Sequence, residues 1–421
     1  MSKKTIAIIG SGIAGLSAAF QLNDDFDITI FEKSNKLGGH TDTHTLDIDG
    51  RQQRVDSGFI IFCPEYYPYF SNMLATLGVE KQATDMSFSA TNHKYDLVYN
   101  ATSINKLFCQ RRNLIRPRFW RMLFDIVRFY NRAYKVLEAP DYSLSVADYL
   151  NQNHYGAGFV EDHLMPMISA LWSATPQRVH EFPIYHLVDF FQRHGLMKLI
   201  RRPQWYVVKN GSATYVEALQ AQLKCEWRSN SGIEQVMRKE NGVELTVDGK
   251  KLLFDAVIIA THSDQALKML GDASPDEKRI LSAIPFERNE VLVHTDTSLM
   301  PANKLAWASW NTEVPQDFDD ASLKSCTANY WMNSLQSIET PTNIFTTLNS
   351  VHRVAENKVL AKRVYQHPVF TAASVAAQAD KSLIDGQRNT YYAGAYWGWG
   401  FHEDGARSAA DVCEQVRVDL R

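Results

Sequence analysis

The 421-residue chain has few cysteines and lacks a long apolar segment. Its five cysteines are widely spaced, and none stands in a Cys-x-x-Cys pair. This pattern favours buried structural thiols over a disulfide framework and predicts no metal site. No apolar run approaches the roughly 18 residues that span a bilayer, and residues 1–5 do not begin a secretory signal. We therefore expect a cytoplasmic protein. The cysteines are Cys63, Cys109, Cys225, Cys326 and Cys413.

A strong charge imbalance is also missing. The formal net charge of −3 gives no indication of a nucleic-acid partner. With 45% hydrophobic residues, a chain of this length can bury more than one core. Repeats and low-complexity linkers are absent as well, so we expect two or three domains whose segments are interleaved along the chain.

Near its beginning the chain has a glycine-rich turn between an apolar run and a helix. The sequence IAIIGSGIAG at 6–15 predicts a buried strand followed by a tight turn, and residues 14–22 predict the helix. A second strand, ITIFEK, ends in Glu32, a position suited to accept hydrogen bonds from a ribose. Strand, helix, strand and acid in this order indicate a dinucleotide-binding unit rather than a turn that is glycine-rich only for steric reasons.

Further motifs resemble the FAD-binding amine-oxidase superfamily. A second glycine pair follows Glu32, a VDSGF turn comes next, and TYYAGAYWGWGFHEDGARSAA at 390–410 reads as a strand, a turn and a helix beginning at Gly405. The resemblance implies an α/β fold in which a Rossmann-like FAD-binding domain is interleaved with an α+β substrate domain of helices and a mixed sheet. The expected segments are 1–85, 205–272 and 384–421 for the first domain, and 86–204 and 273–383 for the second.

The resemblance also implies which residues bind FAD. It implies non-covalent FAD, because no cysteine stands where monoamine oxidases attach the flavin. The chain departs from the family at His40, where relatives often have arginine, and at Ala395, where they often have an acid. The residues expected to bind the cofactor are Gly10, Ser11, Gly12, Ile13, Ala14, Gly15, Glu32, Lys33, Gly38, Gly39, His40, Thr41, Gly58, Val236, Gly394, Ala395, Phe401, Gly405 and Ala406.

Catalytic candidates are fewer. His402 and Glu403 belong to the polar cluster that the resemblance puts nearest the flavin, and a histidine there is suited to proton handling. The alternative is that both residues only tie their turn to Arg407 and to backbone. The strand ERNEVLVH offers Glu290 where amine oxidases generally carry lysine. Glu65, Tyr66 and Tyr67 are weaker candidates, for the entrance.

More specific motifs resemble one branch of this superfamily. DMSFS at 85–89, FWRML at 119–123, SALWS at 169–173 and RRPQWYVVKNGSATYVEAL at 201–219 are similar to bacterial flavoproteins encoded beside cyclopropane-fatty-acid-synthase-like methyltransferases. The related flavin domain of plant cyclopropane synthases shares them. This resemblance implies desaturation or double-bond isomerisation of a fatty acyl chain. The alternatives are oxidation of an amine or polyamine, and a role as FAD-binding partner of an acyl-chain methyltransferase.

An acyl substrate needs an apolar tunnel beside the flavin. The aromatic residues expected to line it, with core packing as the alternative for about half of them, are Trp172, Trp307, Trp310, Tyr330, Trp331, Tyr396 and Trp397.

The stretch 106–137 has the most unusual composition. It carries nine Lys or Arg and one acid, Asp125. A helical wheel puts a basic face beside an aromatic one, which fits a helix lying on an anionic membrane surface, at the inner face of the membrane. An ordinary packed helix with a solvated basic side is the alternative. The basic face contains Arg118, Arg121, Arg128, Arg132 and Lys135, and the other face contains Trp120, Leu123, Phe124, Val127 and Tyr134.

Overall fold

The computed structural model describes residues 3–172, 176–316 and 326–420. Twenty strands are assigned in this part of the chain. In chain order they are β1 (Thr5–Ile9), β2 (Asp27–Phe31), β3 (Thr43–Ile48), β4 (Arg51–Asp56), β5 (Ile61–Phe62), β6 (Lys81–Thr84), β7 (Phe88–Asn92), β8 (Leu97–Asn100), β9 (Trp205–Val208), β10 (Glu226–Arg228), β11 (Ile233–Lys239), β12 (Gly242–Val247), β13 (Lys250–Phe254), β14 (Ala256–Ile259), β15 (Phe286–His294), β16 (Trp310–Val314), β17 (Thr327–Trp331), β18 (Phe345–Leu348), β19 (Val359–Pro368) and β20 (Thr390–Tyr392).

Fifteen α-helices are assigned in the same residues, together with short 3₁₀ turns and one π-helical turn. The helices are α1 (Ile13–Leu22), α2 (Pro68–Leu77), α3 (Ile104–Leu107), α4 (Pro117–Arg132), α5 (Val146–Gln152), α6 (Ala157–Phe159), α7 (Met165–Trp172), α8 (Pro176–Glu181), α9 (Ile184–Arg193), α10 (Ala213–Gln222), α11 (Ser263–Met269), α12 (Pro275–Ser282), α13 (Met332–Leu335), α14 (Ala372–Ala379) and α15 (His402–Leu420).

A parallel sheet carries the glycine-rich turn. Its strand order is β10-β2-β1-β14-β20, and all neighbouring pairs are parallel. The apolar run of β1 is buried on both faces, as expected for a central parallel strand. Side chains of α1 and α15 pack together on one face, and the β11-β12-β13 sheet packs on the other. The carboxyl ends of β1 and β2 therefore present the glycine-rich turn and Glu32 at one edge.

A mixed sheet forms the second architectural unit. Its order is β19-β15-β18-β17-β16-β7-β8, in which β16 and β7 are the parallel neighbours. Side chains from α4 to α9 form a large apolar core against its β7 and β8 end. The predicted α/β architecture, with a Rossmann-like sheet and a mixed sheet, is confirmed. The domain boundaries stay a prediction.

One local prediction needs correction. Helix α15 begins at His402 rather than Gly405, since the Gly405 N–H already donates to the Phe401 carbonyl in the helical manner. The segment 86–204 combines helices with the strands β7 and β8. A 3₁₀ turn at Lys304–Ala306 precedes β16, and β11 and β12 form a hairpin.

The described residues contain neither a membrane-spanning helix nor a metal-binding cluster. No helix among them is long and apolar enough to cross a bilayer. No group of three or more His, Cys, Asp or Glu side chains in the described ranges is arranged to hold a metal ion. Ser173, the last residue of the SALWS motif, lies outside those ranges.

Candidate functional site

The glycine-rich turn is held by contacts that only glycine allows at two of its positions. Gly10 has φ +102°, and a Cβ there would lie 2.7 Å from the Ala260 carbonyl oxygen. A Cβ on Gly15 would lie 2.0 Å from the Gly10 carbonyl oxygen. Gly12 differs, because a Cβ there would meet no described atom within 4 Å. The backbone is thus packed behind the turn and open in front of it.

The open side of the turn faces the N-terminus of α1. Gly12 is the N-cap residue and supplies no capping side chain, so the first amides of the helix, from Ile13 and Ala14, lack a side-chain acceptor. Such amides and the helix dipole form an anion site. A Cβ on Gly39 would lie 3.1 Å from the Gly12 Cα, so the second glycine pair borders the same space. This cradle fits the diphosphate of a dinucleotide.

Glu32 stands at the carboxyl end of β2 beside the turn. Its carboxylate accepts hydrogen bonds from the Ser11 N–H (3.0 Å) and hydroxyl (2.6 Å), and from the Ser34 N–H and hydroxyl (2.9 Å each). These bonds fix the carboxylate at the edge of the cradle, where the ribose is expected. The neighbouring Lys33 is exposed and its side chain lies against Gly232.

The predicted role of Val236 needs correction. Val236 is fully buried, and its carbonyl accepts a hydrogen bond from the Gly271 N–H (3.0 Å). It therefore belongs to the apolar core behind the sheet. The segment that does border Glu32 is 228–232, in which the Ser231 N–H donates to the Glu32 carbonyl (2.8 Å). Sequence reasoning missed it, although it directly follows a strand, β10, that pairs in parallel with β2.

Two turns come into close contact beside the cradle. A Cβ on Gly58 would lie 2.0 Å from the His40 carbonyl oxygen, and the Phe59 N–H donates to that oxygen (2.8 Å). Asp56 is buried below them and accepts hydrogen bonds from the Ser212 N–H and hydroxyl. Burial raises the pKa of Asp56 to about 6. Gly58 is thus required for packing, which agrees with the turn that the sequence predicts.

His40 lies in a cluster of histidines rather than beside a carboxylate that would keep it charged. Its ring centroid is 5.1 Å from Tyr365, 5.4 Å from His367 and 6.0 Å from His262. Burial, reinforced by the neighbouring His262, lowers the pKa of His40 to about 4. Burial lowers the pKa of His262 to about 4 and that of His367 to about 3. At neutral pH His40 cannot replace the permanent cation of the family's arginine.

His402 is tied into the site by two hydroxyl groups. Its Nε2 lies 3.1 Å from both the Thr41 hydroxyl and the Tyr215 hydroxyl, and its ring stacks on Phe59 at 3.5 Å. Burial, helped by the nearby His40, holds its pKa well below the usual range, so the ring is neutral. These contacts give His402 a tethering role, and its predicted catalytic role stays a prediction.

Glu403 bonds to the backbone of another segment. Its two carboxylate oxygens accept hydrogen bonds from the Tyr69 N–H (2.9 Å) and the Phe70 N–H (3.0 Å), at the N-terminus of α2. Burial raises the pKa of Glu403 to about 7. The adjacent Asp404 accepts from the Trp399 and Phe401 N–H groups. These contacts agree with the alternative in which Glu403 ties its turn to backbone, and its catalytic role stays a prediction.

The C-terminal turn reaches the glycine-rich turn directly. A Cβ on Gly405 would lie 2.7 Å from the Ile13 Cγ2 and 3.6 Å from the Ala14 nitrogen. Ala395 borders the same point, with its Cβ 3.7 Å from that of a substituted Gly405. Ala406 is buried against the same helix, and the Gly394 N–H donates to the Ser408 hydroxyl. The structure thus brings together the predicted cofactor residues from both ends of the chain, with the exception of Val236.

An aromatic enclosure surrounds Phe401. Its ring stacks on Phe190 at 4.7 Å and lies 5.7 Å from His194 and 6.2 Å from Trp172. The Trp172 indole N–H donates to the Trp399 carbonyl (3.2 Å). Sequence reasoning missed the residues of this enclosure on α9. The signal was present, because His186, Phe190 and His194 recur every four residues and so share one helix face.

A small cavity lies beside this enclosure and is mainly apolar. The cavity lies between the enclosure and the histidine cluster, because its lining includes Trp172 from the enclosure and His367 from the cluster. The residues that line it are Trp172, Phe182, Glu287, His367, Pro368, Val369 and Phe370.

Of the seven aromatic residues predicted to line a tunnel, Trp172 contacts the Phe401 ring. The others pack elsewhere. Trp307 meets Trp331 at 5.3 Å, and Trp310 meets Tyr330 at 5.2 Å, both within the mixed sheet and its borders. Tyr396 and Trp397 pack against each other at 4.9 Å, beside the core under the parallel sheet. Six of these aromatic residues therefore pack against one another or against other core residues. An aromatic residue in the sequence does not show in which direction its side chain points.

Four further candidates lie at the edges of the site. Glu290 is half-buried and forms ion pairs with Arg288 (3.3 Å) and Lys362 (3.8 Å). The buried neighbour on that strand is Asn289, whose amide lies 3.0 Å from the His367 Nδ1. Tyr67 is buried, whereas Glu65 is exposed and forms an ion pair with Lys198. The Tyr66 hydroxyl accepts from Lys198 at 3.1 Å.

Comparison with known proteins agrees with this geometry. Residues 13–285 match the profile of the flavin containing amine oxidoreductase family. The chain is 21% identical over 311 residues to a coproporphyrinogen III oxidase of Staphylococcus aureus, which covers 64% of the chain and 62% of that protein. The chain thus spans less than two-thirds of the length of this curated relative.

Two solved structures share the fold over almost the whole chain. One is a CLA-producing fatty acid isomerase from P. acnes, with a TM-score of 0.69, 17% identity and 98% of each chain covered. The other is cyclohexylamine oxidase from Brevibacterium oxydans, with a TM-score of 0.71, 15% identity, and 99% of this chain and 100% of that chain covered. The family profile covers more than half of the 421 residues. This chain therefore belongs to the flavin containing amine oxidoreductase family, an enzyme family whose cofactor is a flavin.

Proposed function

We propose that the protein is an FAD-dependent oxidoreductase that acts on a fatty acyl chain, by desaturation or by double-bond isomerisation. The observation that carries the proposal is the aromatic enclosure around Phe401 and the apolar cavity beside it. Side chains of this kind present mainly apolar surface, which suits an alkyl chain better than a charged group.

The ionisable groups around the enclosure support an uncharged substrate. Burial lowers the pKa of His186 to about 3 and that of His194 to about 4, so both rings are neutral at pH 7. The nearby carboxylates of Glu403 and Asp404 accept backbone N–H groups within the protein. The ammonium group of an amine substrate would compete with these backbone N–H groups for the carboxylates. An alkyl chain carries no charge and needs no such partner.

The cofactor and the protein would contribute different parts of the reaction. Bound FAD supplies a hydride acceptor at its N5 atom. The residues that would hold it are those of the glycine cradle, Glu32 and the α15 N-terminus. The side chains of the enclosure would orient the reacting carbon, because an alkyl C–H bond has no lone pair through which a side chain can activate it.

The positions of the cysteines support non-covalent FAD. The turn from Ala395 to Gly405 contains no cysteine, and Cys413 is buried on α15 against α1. We expect FAD to leave the protein intact on heating or acid precipitation, and to appear in the supernatant by absorbance and mass spectrometry. Yellow colour that remains in the precipitate would contradict non-covalent binding, and failure to bind any FAD on reconstitution would contradict the proposed function as a whole.

The substrate class is tested by anaerobic reduction of the purified flavoprotein. We expect long-chain unsaturated or methyl-branched acyl lipids to bleach the flavin, and simple amines or polyamines to leave it oxidised. Bleaching by amines alone would instead establish amine oxidation, the second candidate, which the structural similarity to cyclohexylamine oxidase favours. An isomerised lipid without net reduction would keep the substrate class and change the reaction. Absence of both responses would favour the third candidate, a binding partner of an acyl-chain methyltransferase.

The enclosure provides a variant for the same assay. Replacing Trp172 by alanine should slow acyl-dependent bleaching by about tenfold or more, because misplacement of the reacting carbon is costly in rate. The oxidised flavin spectrum should not change. The matched control is Tyr142→Ala, which removes a 44% exposed ring that packs on Tyr185, outside the enclosure. Equal rates in both variants would show that the enclosure does not position the substrate.

A further inference from the structure

We propose that the surface formed by residues 104–135 docks the protein on an anionic lipid bilayer. This inference goes beyond the proposed chemistry and does not depend on it. We call this region the α4 surface. It comprises α3, the turn at residues 111–115, helix α4 and the first residues after α4.

Helix α4 has three faces rather than the two that the sequence suggested. One face packs into the apolar core through Phe119, Met122, Ile126, Phe129 and Tyr130. The sequence placed an aromatic face at Trp120, Leu123, Phe124, Val127 and Tyr134. Leu123 packs against the core, whereas the other four are exposed, with Phe124 59% exposed. Their spacing of four, seven and fourteen residues from Trp120 aligns them along one side of the helix.

The segment before α4 extends this apolar stripe. The Trp120 indole N–H donates to the Leu114 carbonyl (2.8 Å), and its ring lies 5.6 Å from Phe108. These contacts fix the segment beside the helix. Ile104 and Ile115 on the same segment are 79% and 84% exposed, which is costly for isoleucine in water. The exposed apolar side chains therefore form a patch of several segments, which marks an interaction surface.

The charge of the stretch 106–137 is mainly positive, although acids from outside it pair with two of its arginines, Asp96 with Arg112 and both Glu161 and Asp162 with Arg118. The stretch 106–137 holds nine Lys or Arg and one acid, a balance of +8. That acid, Asp125, is fully buried and pairs with both Arg121 (2.8 Å) and Arg128 (3.0 Å). Arg132 and Lys135 are exposed and form no ion pair with any residue in the described ranges.

An anionic bilayer fits this combination better than a nucleic acid or an acidic protein. Basic groups beside exposed Trp, Tyr, Phe and Ile side chains are typical of a helix that lies in the lipid interface. The apolar side chains would enter the acyl boundary while the Arg and Lys stems reach back to phosphates. A nucleic acid would use the charges but leave the isoleucines in water.

The test is flotation of the flavin-loaded protein with vesicles of phosphatidylcholine alone or with about one-third phosphatidylglycerol. We expect binding to the anionic vesicles only, and weaker binding as salt rises from about 50 to about 500 mM. Ile115→Glu combined with Phe124→Glu should weaken binding at least about tenfold, since carboxylates would be placed at the lipid boundary. The matched control is Leu253→Glu, at a half-exposed apolar position on β13.

The charges are tested separately. Arg111→Gln, Arg132→Gln and Lys135→Gln together should weaken binding to anionic vesicles by about a hundredfold. Arg121 and Arg128 are left in place because their loss would leave the buried Asp125 without its partners. The control replaces Lys224, Lys268 and Lys278 by glutamine, which removes the same charge from exposed positions elsewhere.

Flavin absorbance and thermal unfolding should be unchanged in all variants, which separates lost docking from lost fold. Equal binding to neutral and anionic vesicles would overturn the proposal. So would unchanged binding after the two glutamate substitutions, an equal loss in the lysine control, or binding to duplex DNA in the absence of vesicle binding.

Discussion

The protein is expected to unfold in mildly acidic solution, with a midpoint near pH 5. Nine histidines have pKa values lowered mainly by burial, to about 3 or 4 wherever a value is given. The folded state thus binds fewer protons than the unfolded state below pH ~6.5, so its stability is present above that pH and lost as pH falls. The histidines are His40, His44, His163, His186, His194, His262, His294, His367 and His402.

Four carboxyl groups act in the opposite direction. Burial raises the pKa values of Asp56 and Asp404 to about 6 and that of Glu403 to about 7, and it also raises the pKa of Asp162. These groups favour the folded state as pH falls. Each shifted group changes the free energy of unfolding by ~1.4 kcal/mol per pH unit within its window. Because nine histidines outnumber four carboxyls, the net effect is a loss of stability as pH falls from ~6.5 to ~5, and a typical total stability is only ~5–15 kcal/mol.

The measurement is unfolding followed by circular dichroism between pH 7.5 and 4.5, with one histidine removed. His186 packs between Phe182 (5.4 Å) and Phe370 (5.2 Å), so His186→Phe should retain the packing and remove about 1.4 kcal/mol per pH unit of acid sensitivity. His352→Gln, at an exposed position, is the control and should leave the curve unchanged. Equal stability of the wild type at pH 7.5 and pH 5 would contradict the prediction.

Two glycines in the same turn should respond oppositely to substitution. Gly12→Val should leave the cofactor-free protein as stable as the wild type, because φ at Gly12 is −68° and its Cβ would enter open space. The side chain would occupy the cradle in front of the α1 amides. FAD affinity should therefore fall by about a hundredfold, as expected when charge-assisted hydrogen bonds worth roughly 1.5–3 kcal/mol are lost.

Gly15→Val should instead destabilise the cofactor-free protein by several kcal/mol, since its Cβ would lie 2.0 Å from the Gly10 carbonyl oxygen. Thermal unfolding without cofactor and fluorescence titration with FAD separate the two effects. The placement of the cofactor would be wrong if Gly12→Val bound FAD normally, or if both variants lost stability equally before FAD was added.

The sequence predicts the glycine-rich turns of the proposed cofactor site well, because glycine occupies positions where the backbone packs too closely for a Cβ. Gly15 and Gly58 both stand where a Cβ would collide with backbone at 2.0 Å, and their residue type reports that geometry directly. The strand, turn and helix of the first unit follow from residue order alone. The same reasoning misplaces Val236, since one buried valine in a strand is compatible with several registers.

Side-chain roles at the other end of the site are harder to predict. A glutamate at the start of a helix reads equally well as a catalytic acid or as a partner for another segment, and Glu403 caps a helix 333 residues away in sequence. The α9 face was overlooked because its aromatic spacing also fits ordinary core packing. On α4, the wheel grouped most of the exposed aromatic and basic residues correctly, but it did not identify the third face, which packs into the core.

The start of α15 also determines when the site can form during synthesis. His402 holds Thr41 and Tyr215, and Glu403 holds the first amides of α2, so consecutive residues fasten segments made much earlier. The cofactor cradle of a nascent chain therefore cannot form until the start of α15 has been synthesised. Contacts between residues so far apart in sequence also form slowly. Ribosome-bound chains stalled before residue 402 should consequently not retain FAD, however completely their parallel strands have formed.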